Sequence, residues 1–359
     1  MRKKEITAIL LSISFQASAA DVTGWTEYST GGETMCADGS PFKYYVRQGT
    51  SNTVIFDFMG GGACWDGVTC APESGVYQRT LPDVLGSWIP ESSGIYDHTR
   101  DDNPYRDATH VLIPYCTGDI HWGNKDMTYS DDQGHSVEVK HRGAVNAKSA
   151  IDDSLNHLNQ DFKNVLVSGC SAGAYASIWW SPYIQRKIPH ASMVQFSDSG
   201  AGVLTDSFRK NGFGNWNIDK YAPSWIPGLN PAETDLSQIT MNSLYEKIAN
   251  YYPQANFSQY NHINDLIQRF FYQVMGGDSA TWAYTMKFMN SEIESKTTNF
   301  TYYTAPWDGH CILPSTDFFD VKTTSKDQLT FNKWFSSLSK LELPKSEPCL
   351  DCVIETNKH

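Results

Sequence analysis

The stretch that decides the fold is KNVLVSGCSAGAYASIWW at residues 163–180. Its apolar run at 164–168 has the length of a buried strand, and from Ala174 the pattern becomes helical. Between the two lies Gly169-Cys170-Ser171-Ala172-Gly173, a Gly-x-Ser-x-Gly turn in the strand–turn–helix setting that raises a serine above the edge of a sheet. Such a turn forces the serine into an unfavourable backbone conformation, so its neighbours must be small. Ser171 would then stand at a helix N-terminus, where backbone N–H groups favour developing negative charge. Ser171 is the candidate nucleophile. The plain alternative is a glycine-rich turn whose serine only caps the helix.

A second glycine cluster follows the apolar run at 52–59: Gly60-Gly61-Gly62-Ala63-Cys64-Trp65. Acyl transfer needs N–H donors aimed at a tetrahedral oxyanion, and glycines let the backbone approach that oxygen. The donors are expected from Gly61 and Gly62, joined by the N–H of Ala172. No Gly-Lys-Ser/Thr follows, which argues against a phosphate loop. If the chain order serine, acid, histidine applies, the base is a late histidine. His310, in Trp307-Asp308-Gly309-His310-Cys311, is the candidate. His262 reads as a surface or capping residue near a helix start, and His359 is terminal. Asp198, Asp265 and Asp278 all suit the acid, and spacing does not choose among them.

Working outward, strands are expected at 52–59, 108–114, 164–168, 193–196 and 300–304, and helices at 144–158 and 263–275. Strands alternating with helices specify an α/β fold, an α/β-hydrolase-like, mainly parallel sheet with helices on both faces. The segment 213–231, rich in Pro, Asn and Trp, reads as a loop or cap insertion. No linker or repeat divides residues 20–359, which are expected to form one catalytic domain. The 359 residues carry 28 Lys+Arg against 40 Asp+Glu, a formal charge of -12. That balance, with no Lys/Arg cluster, speaks against nucleic-acid partners. No uncharged apolar stretch of about 18 residues crosses a membrane, and a monomer is expected.

Residues 1–19 have the pattern of a signal peptide: Arg2-Lys3-Lys4, an apolar run at 6–15, then Ala17-Ser18-Ala19 before cleavage near Ala20. Secretion or periplasmic export is expected. Removing the segment takes away Arg2, Lys3, Lys4 and Glu5, moving the formal charge from -12 to -14. In an oxidising compartment the eight cysteines are disulfide candidates. Cys64 with Cys70 and Cys349 with Cys352 are the pairings that spacing suggests. No metal or organic cofactor is expected: the lone Cys-x-x-Cys has no second pair, and Asp101-Asp102-Asn103 with Asp107 does not match a calcium loop.

Four segments, Gly60 to Trp65, Pro114-Tyr115-Cys116-Thr117-Gly118-Asp119, Ser168 to Gly173, and His310-Cys311, resemble the pectin acetylesterase/Notum family of secreted carboxylesterases. The resemblance implies an α/β-hydrolase fold and a Ser-Asp-His triad whose acid lies in an Asp-x-x-Gln segment. That implies Asp265, in Asp265-Leu266-Ile267-Gln268, with Asp198 in reserve. Gly62-Ala63 replace the bulkier aromatics of animal Notum, so the plant and bacterial members are the nearer guide. The implied function is hydrolysis of short-chain acyl esters, such as O-acetyl groups on pectin. A lipase or peptidase on the same fold and an inactive carbohydrate-binding module are the alternatives. Trp65, Asp119 and His121 are expected to shape the pocket, with Trp122 and Trp307 as further sugar-stacking candidates. The acidic balance would repel pectin at low salt.

Overall fold

The computed structural model describes residues 24–81, 93–323 and 329–354; the expected signal peptide and His359 lie outside them. Eight strands build one sheet in the order β1-β2-β4-β3-β7-β8-β9-β10, where β1 is Trp25–Tyr28, β2 Tyr44–Arg47, β3 Thr53–Phe58 and β4 Thr109–Ile113. The rest are β7 Asn164–Cys170, β8 Ser192–Asp198, β9 Asn256–His262 and β10 Phe300–Ala305. β1 and β2 pair antiparallel, as do β2 and β4, and every other neighbouring pair in this sheet is parallel. β5 (Lys125–Ser130) and β6 (Ser136–His141) form a separate hairpin.

Both faces of the sheet are buried, which is why its strands read as apolar runs. Val54, Phe56 and Phe58 of β3 and Val165 and Val167 of β7 enter one core. Ile55 and Leu166 point into the other. Helices α1 (Gly143–Leu158), α2 (Ala172–Lys187) and α3 (Met241–Tyr251) supply residues to the first core, and α6 (Phe331–Ser339) packs Phe331, Trp334, Phe335 and Leu338 into the second. Helices α4 (Leu266–Val274) and α5 (Trp282–Lys296) lie between β9 and β10 in the chain. The segment 213–231 forms short helical turns that bury Trp216, Ile218, Ile226 and Leu229.

β9 has no counterpart among the expected strands. Its sequence Asn-Phe-Ser-Gln-Tyr-Asn-His is mostly polar, yet six of its seven residues are buried. Hydrogen bonds replace apolar packing there: Ser258 Oγ donates to the Gln195 carbonyl at 2.9 Å, and Asn261 accepts from Gln268 Nε2 at 2.9 Å. His262 closes this strand and is 6% exposed, which corrects its reading as a surface or capping residue. Its Nδ1 donates to the Pro306 carbonyl at 2.6 Å, and its Nε2 accepts from Tyr260 at 3.0 Å.

The turn from β7 into α2 needs its glycines for space. A Cβ on Gly173 would lie 1.7 Å from the Phe58 carbonyl oxygen of β3, and one on Gly169 would lie 2.3 Å from the Gly173 carbonyl oxygen. Neither obstacle is a movable side chain. Gly173→Ala should lower the unfolding free energy by about 1–3 kcal/mol through overpacking. Gly214→Ala, at φ -67° with nothing within 4 Å, should cost nothing or stabilise by about 0.4–1 kcal/mol. Urea denaturation of both variants checks this; equal midpoints would contradict it.

Candidate active site

The carboxyl ends of β3, β7, β8, β9 and β10 converge on one edge, the place where open α/β sheets present their ligand sites. Ser171 follows β7 with φ 57° and ψ -119°, far from the regions that a serine favours. It is held there from outside: its N–H donates to the Asp198 carbonyl of β8 at 2.8 Å. Ser171, Gly62, Ala172 and His310 line one cavity. Gly62 has φ +76°, and a Cβ there would lie 1.9 Å from the Val76 carbonyl oxygen. Gly61 stands beside it on the same turn, outside the cavity lining.

His310 lies in the loop after β10. Its Nδ1 donates to both carboxylate oxygens of Asp265, at 3.0 and 2.9 Å. Asp265 is fully buried at the start of α4, and it also accepts from the N–H and the Nε2 of Gln268, each at 2.9 Å. Gln268 in turn accepts from Ala201 N–H at 2.8 Å. His310 Nε2 has no hydrogen-bond partner, so no bond yet joins it to Ser171. Such contacts are often loose before substrate arrives.

The two other candidate acids sit elsewhere. Asp278 is in an exposed turn, where it accepts from Ala280 N–H at 3.0 Å. Asp198 is buried and accepts from the N–H groups of Ile312, at 2.9 and 2.8 Å, and Leu313, at 2.7 Å, just past His310. Burial pushes its carboxyl from 3.8 up to about 7, against the pull of those donors. A third buried carboxylate, Asp57, accepts from His110 Nε2 at 3.1 Å, but both lie inside the core.

Asp119 and His121 do not line the cavity that holds Ser171, which corrects their expected place in the pocket, whereas Trp65 lines an adjoining concavity that shares Phe208 and Met275 with it. Asp119 is fully buried and accepts from Gly143 N–H at 2.7 Å; burial raises its carboxyl to about 6. His121 donates through Nε2 to the Met59 carbonyl at 2.9 Å, and burial lowers its pKa to about 4, keeping the ring neutral. His121 therefore braces the turn that carries Gly60 to Gly62, while Asp119 holds the start of α1 and the His121 backbone N–H. Trp65 packs edge-on against Phe208, 4.8 Å between centroids, behind the cavity wall. Trp122 is buried against Trp179, whereas Trp307 is 68% exposed.

Most of the remaining wall is apolar, with Ile120, Val203, Phe208, Phe271, Met275 and Trp282, and Ser199 and Gln268 add polar side chains. One signal for it was present in the sequence, the apolar density of the expected helix at 263–275. α4 gives Ile267 and Phe271 to the cavity while Leu266 and Phe270 remain 53% and 46% exposed. Four disulfides join all eight cysteines. The expected Cys64–Cys70 and Cys349–Cys352 are joined by Cys36–Cys116 and Cys170–Cys311. Among the described residues, two groupings have the proximity of metal ligands, Cys64, Cys70 and His141, and Cys170, His310 and Cys311. In both the sulfurs are bonded to each other rather than available as thiolates.

A mostly parallel sheet carrying a strained serine at its carboxyl edge places the chain among proteins of α/β-hydrolase-like fold. The solved structure of the Wnt deacylase Notum from Drosophila has this fold, with a TM-score of 0.58 at 20% identity, over 92% of this chain and 95% of that one. The family model for pectinacetylesterase matches residues 21–216, more than half of the chain, and the chain belongs to that family. Pectin acetylesterase 11 of Arabidopsis thaliana is 26% identical over 197 residues, 54% of this chain and 48% of that protein. Palmitoleoyl-protein carboxylesterase notum2 of Xenopus laevis is 28% identical over 141 residues, 38% and 27%. The chain thus spans half or less of the length of these curated relatives. Asp265 and His310 lie beyond the family match, so their pairing is a property read from this chain.

The raised Asp198 pKa has a consequence for stability. Between pH 3.8 and about 7 the folded state keeps a proton that the unfolded chain has lost. The stabilisation from that protonated carboxyl is therefore complete below pH 3.8 and is lost as pH rises through 7. Asp198→Asn removes this titration. The wild type's unfolding free energy relative to the variant should fall between pH 4 and 7, by at most about 1.4 kcal/mol per pH unit. Parallel denaturation profiles across that range would refute the assignment.

Proposed function

We propose that the protein is an exported serine carboxylesterase acting on short-chain acyl esters, with O-acetyl groups of a polysaccharide such as pectin as the natural target. The observation that carries the reading is the buried Asp265 carboxylate on His310 Nδ1, with Nε2 left unpartnered in the cavity shared with Ser171. In the proposed cycle His310 takes the Ser171 proton and Ser171 Oγ attacks the ester carbonyl. The N–H groups of Gly61, Gly62 and Ala172 receive the oxyanion. His310 then protonates the leaving alcohol and activates water to release the acid. Asp265 fixes the tautomer and stabilises the imidazolium. No step in this cycle calls for a metal or an organic cofactor.

Family membership supports the substrate class. Four disulfides favour an oxidising compartment, which agrees with the signal peptide read at 1–19. No helix of the described residues is long and apolar enough to cross a membrane. We assign residues 20–359 to one catalytic domain acting as a monomer. The apolar wall of Phe208, Phe271 and Trp282 favours a second reading of the acyl side, in which groups longer than acetyl are also accepted.

Kinetics on p-nitrophenyl acetate, butyrate and octanoate, beside acetylated pectin and xylan, test both readings. Ser171→Ala should lose at least about 10³-fold in turnover, and Asp265→Asn about 10⁴-fold. Asp198→Asn should keep most of its activity. Undiminished turnover by Ser171→Ala would remove the nucleophile assignment. An inactive wild type would favour the binding-module alternative, and a preference for octanoate would favour the lipase-like one.

A further inference from the structure

α2 begins at Ala172, beside Ser171, and ends near a second concavity at the opposite, amino-terminal edge of the sheet, where β8 and β9 start. At 1.5 Å per residue its 16 residues separate the two by about 24 Å. This groove holds about 640 Å³, within the range of small-ligand sites. Arg186, Ser192, Trp225, Tyr251, Tyr252 and Gln254 are among its lining residues, which include no Asp or Glu.

Its polar chemistry centres on Arg186. The guanidinium carbon lies 4.3 Å from the centroid of the Trp225 ring. Trp225 is fixed in turn, donating through Nε1 to Tyr252 Oη at 3.3 Å, and Tyr252 donates to the Pro182 carbonyl at 3.4 Å. The next residue, Lys187, is neutralised by Asp152 at 2.7 Å. Arg186 has no such carboxylate among the described residues. An indole beneath a guanidinium orders its plane while leaving the N–H fork open to a carboxylate. Beside it, Tyr251 is 44% exposed, its ring edge-on to Tyr252 at 4.9 Å. That ring offers an amphipathic flat surface, and Gln254 and Ser192 are exposed hydrogen-bonding groups at the rim.

We propose that this groove binds an acidic oligosaccharide, one uronate carboxylate pairing with Arg186 and a sugar ring lying on Tyr251. The local charge of the groove, not that of the whole chain, argues for this occupant. The chain is acidic overall, at -12, and its long-range field disfavours a polyuronate. An acid-free groove with an open guanidinium gives such a polymer a local partner. The bound segment lies far from Ser171 and is held, not hydrolysed. The identity of the ligand rests on the polysaccharide reading above; the site itself does not rest on the catalytic assignments.

Calorimetric titration of the full chain with a de-esterified oligogalacturonate, and with its methyl-esterified form, tests the site. Arg186→Ala and Tyr251→Ala should each weaken binding at least fivefold while p-nitrophenyl acetate turnover stays at the wild-type level. The methyl-esterified ligand should bind the wild type as weakly as the acid binds Arg186→Ala. Equal binding by wild type and Arg186→Ala would overturn the proposal, as would no binding by a wild type that turns over the ester. Arg186-dependent binding by a protein without esterase activity would support the groove and defeat the esterase reading instead.

Discussion

The bond between Cys170 and Cys311 ties together the two segments on which everything at the carboxyl edge depends. Cys170 immediately precedes Ser171, and Cys311 immediately follows His310, so one covalent link fixes both arms across a sequence separation of 141 residues. In the chain-entropy model a loop of that length removes about 5 kcal/mol of freedom from the unfolded chain. Its local effect is equally direct. Serine and histidine come from different strands, and their separation is set one residue away from each.

Asp198 completes the same clamp without covalent chemistry. Its backbone carbonyl accepts from Ser171 N–H, and its carboxyl accepts from Ile312 and Leu313 N–H. Ser199 beside it accepts through Oγ from Cys311 N–H at 2.9 Å. The buried carboxylates therefore divide the labour. Asp265 meets the imidazole, Asp198 holds the loop that carries it, and Asp119 accepts from the first N–H of α1. The backbone strain at Ser171 is sustained because β8, the disulfide and the crowded glycines around it leave no room to relax.

Much of this was legible in the sequence wherever local chemistry dictated the outcome. β3, β4, β7, β8 and β10 appear as apolar runs because both faces of a parallel sheet are covered, and the elbow appears because only glycine fits at 169 and 173. β9 was hidden because its interior is satisfied by Ser, Gln and Asn hydrogen bonds, which carry no apolar period. His262 reads as a surface residue for the same reason: without the strand, nothing in the sequence shows that it bonds to the Pro306 carbonyl. β1, β2 and the β5–β6 hairpin are short or half-exposed, and their pairing is long-range. His121 bonds to the backbone just before the glycine turn and Asp119 to the start of α1, so both side chains are committed to structural hydrogen bonds. Sequence proximity to a motif could not show that commitment. The Cys170–Cys311 pairing is likewise a consequence of topology, whereas Cys64–Cys70 and Cys349–Cys352 are close in sequence.

The account stands on Ser171 being a nucleophile activated by the one histidine that Asp265 orients. Reaction of the intact protein with a fluorophosphonate, followed by peptide mapping, tests this most directly. A single adduct is expected on the peptide containing Ser171, formed far more slowly in His310→Ala. No adduct on that peptide, or labelling at the same rate without His310, would contradict the central claim.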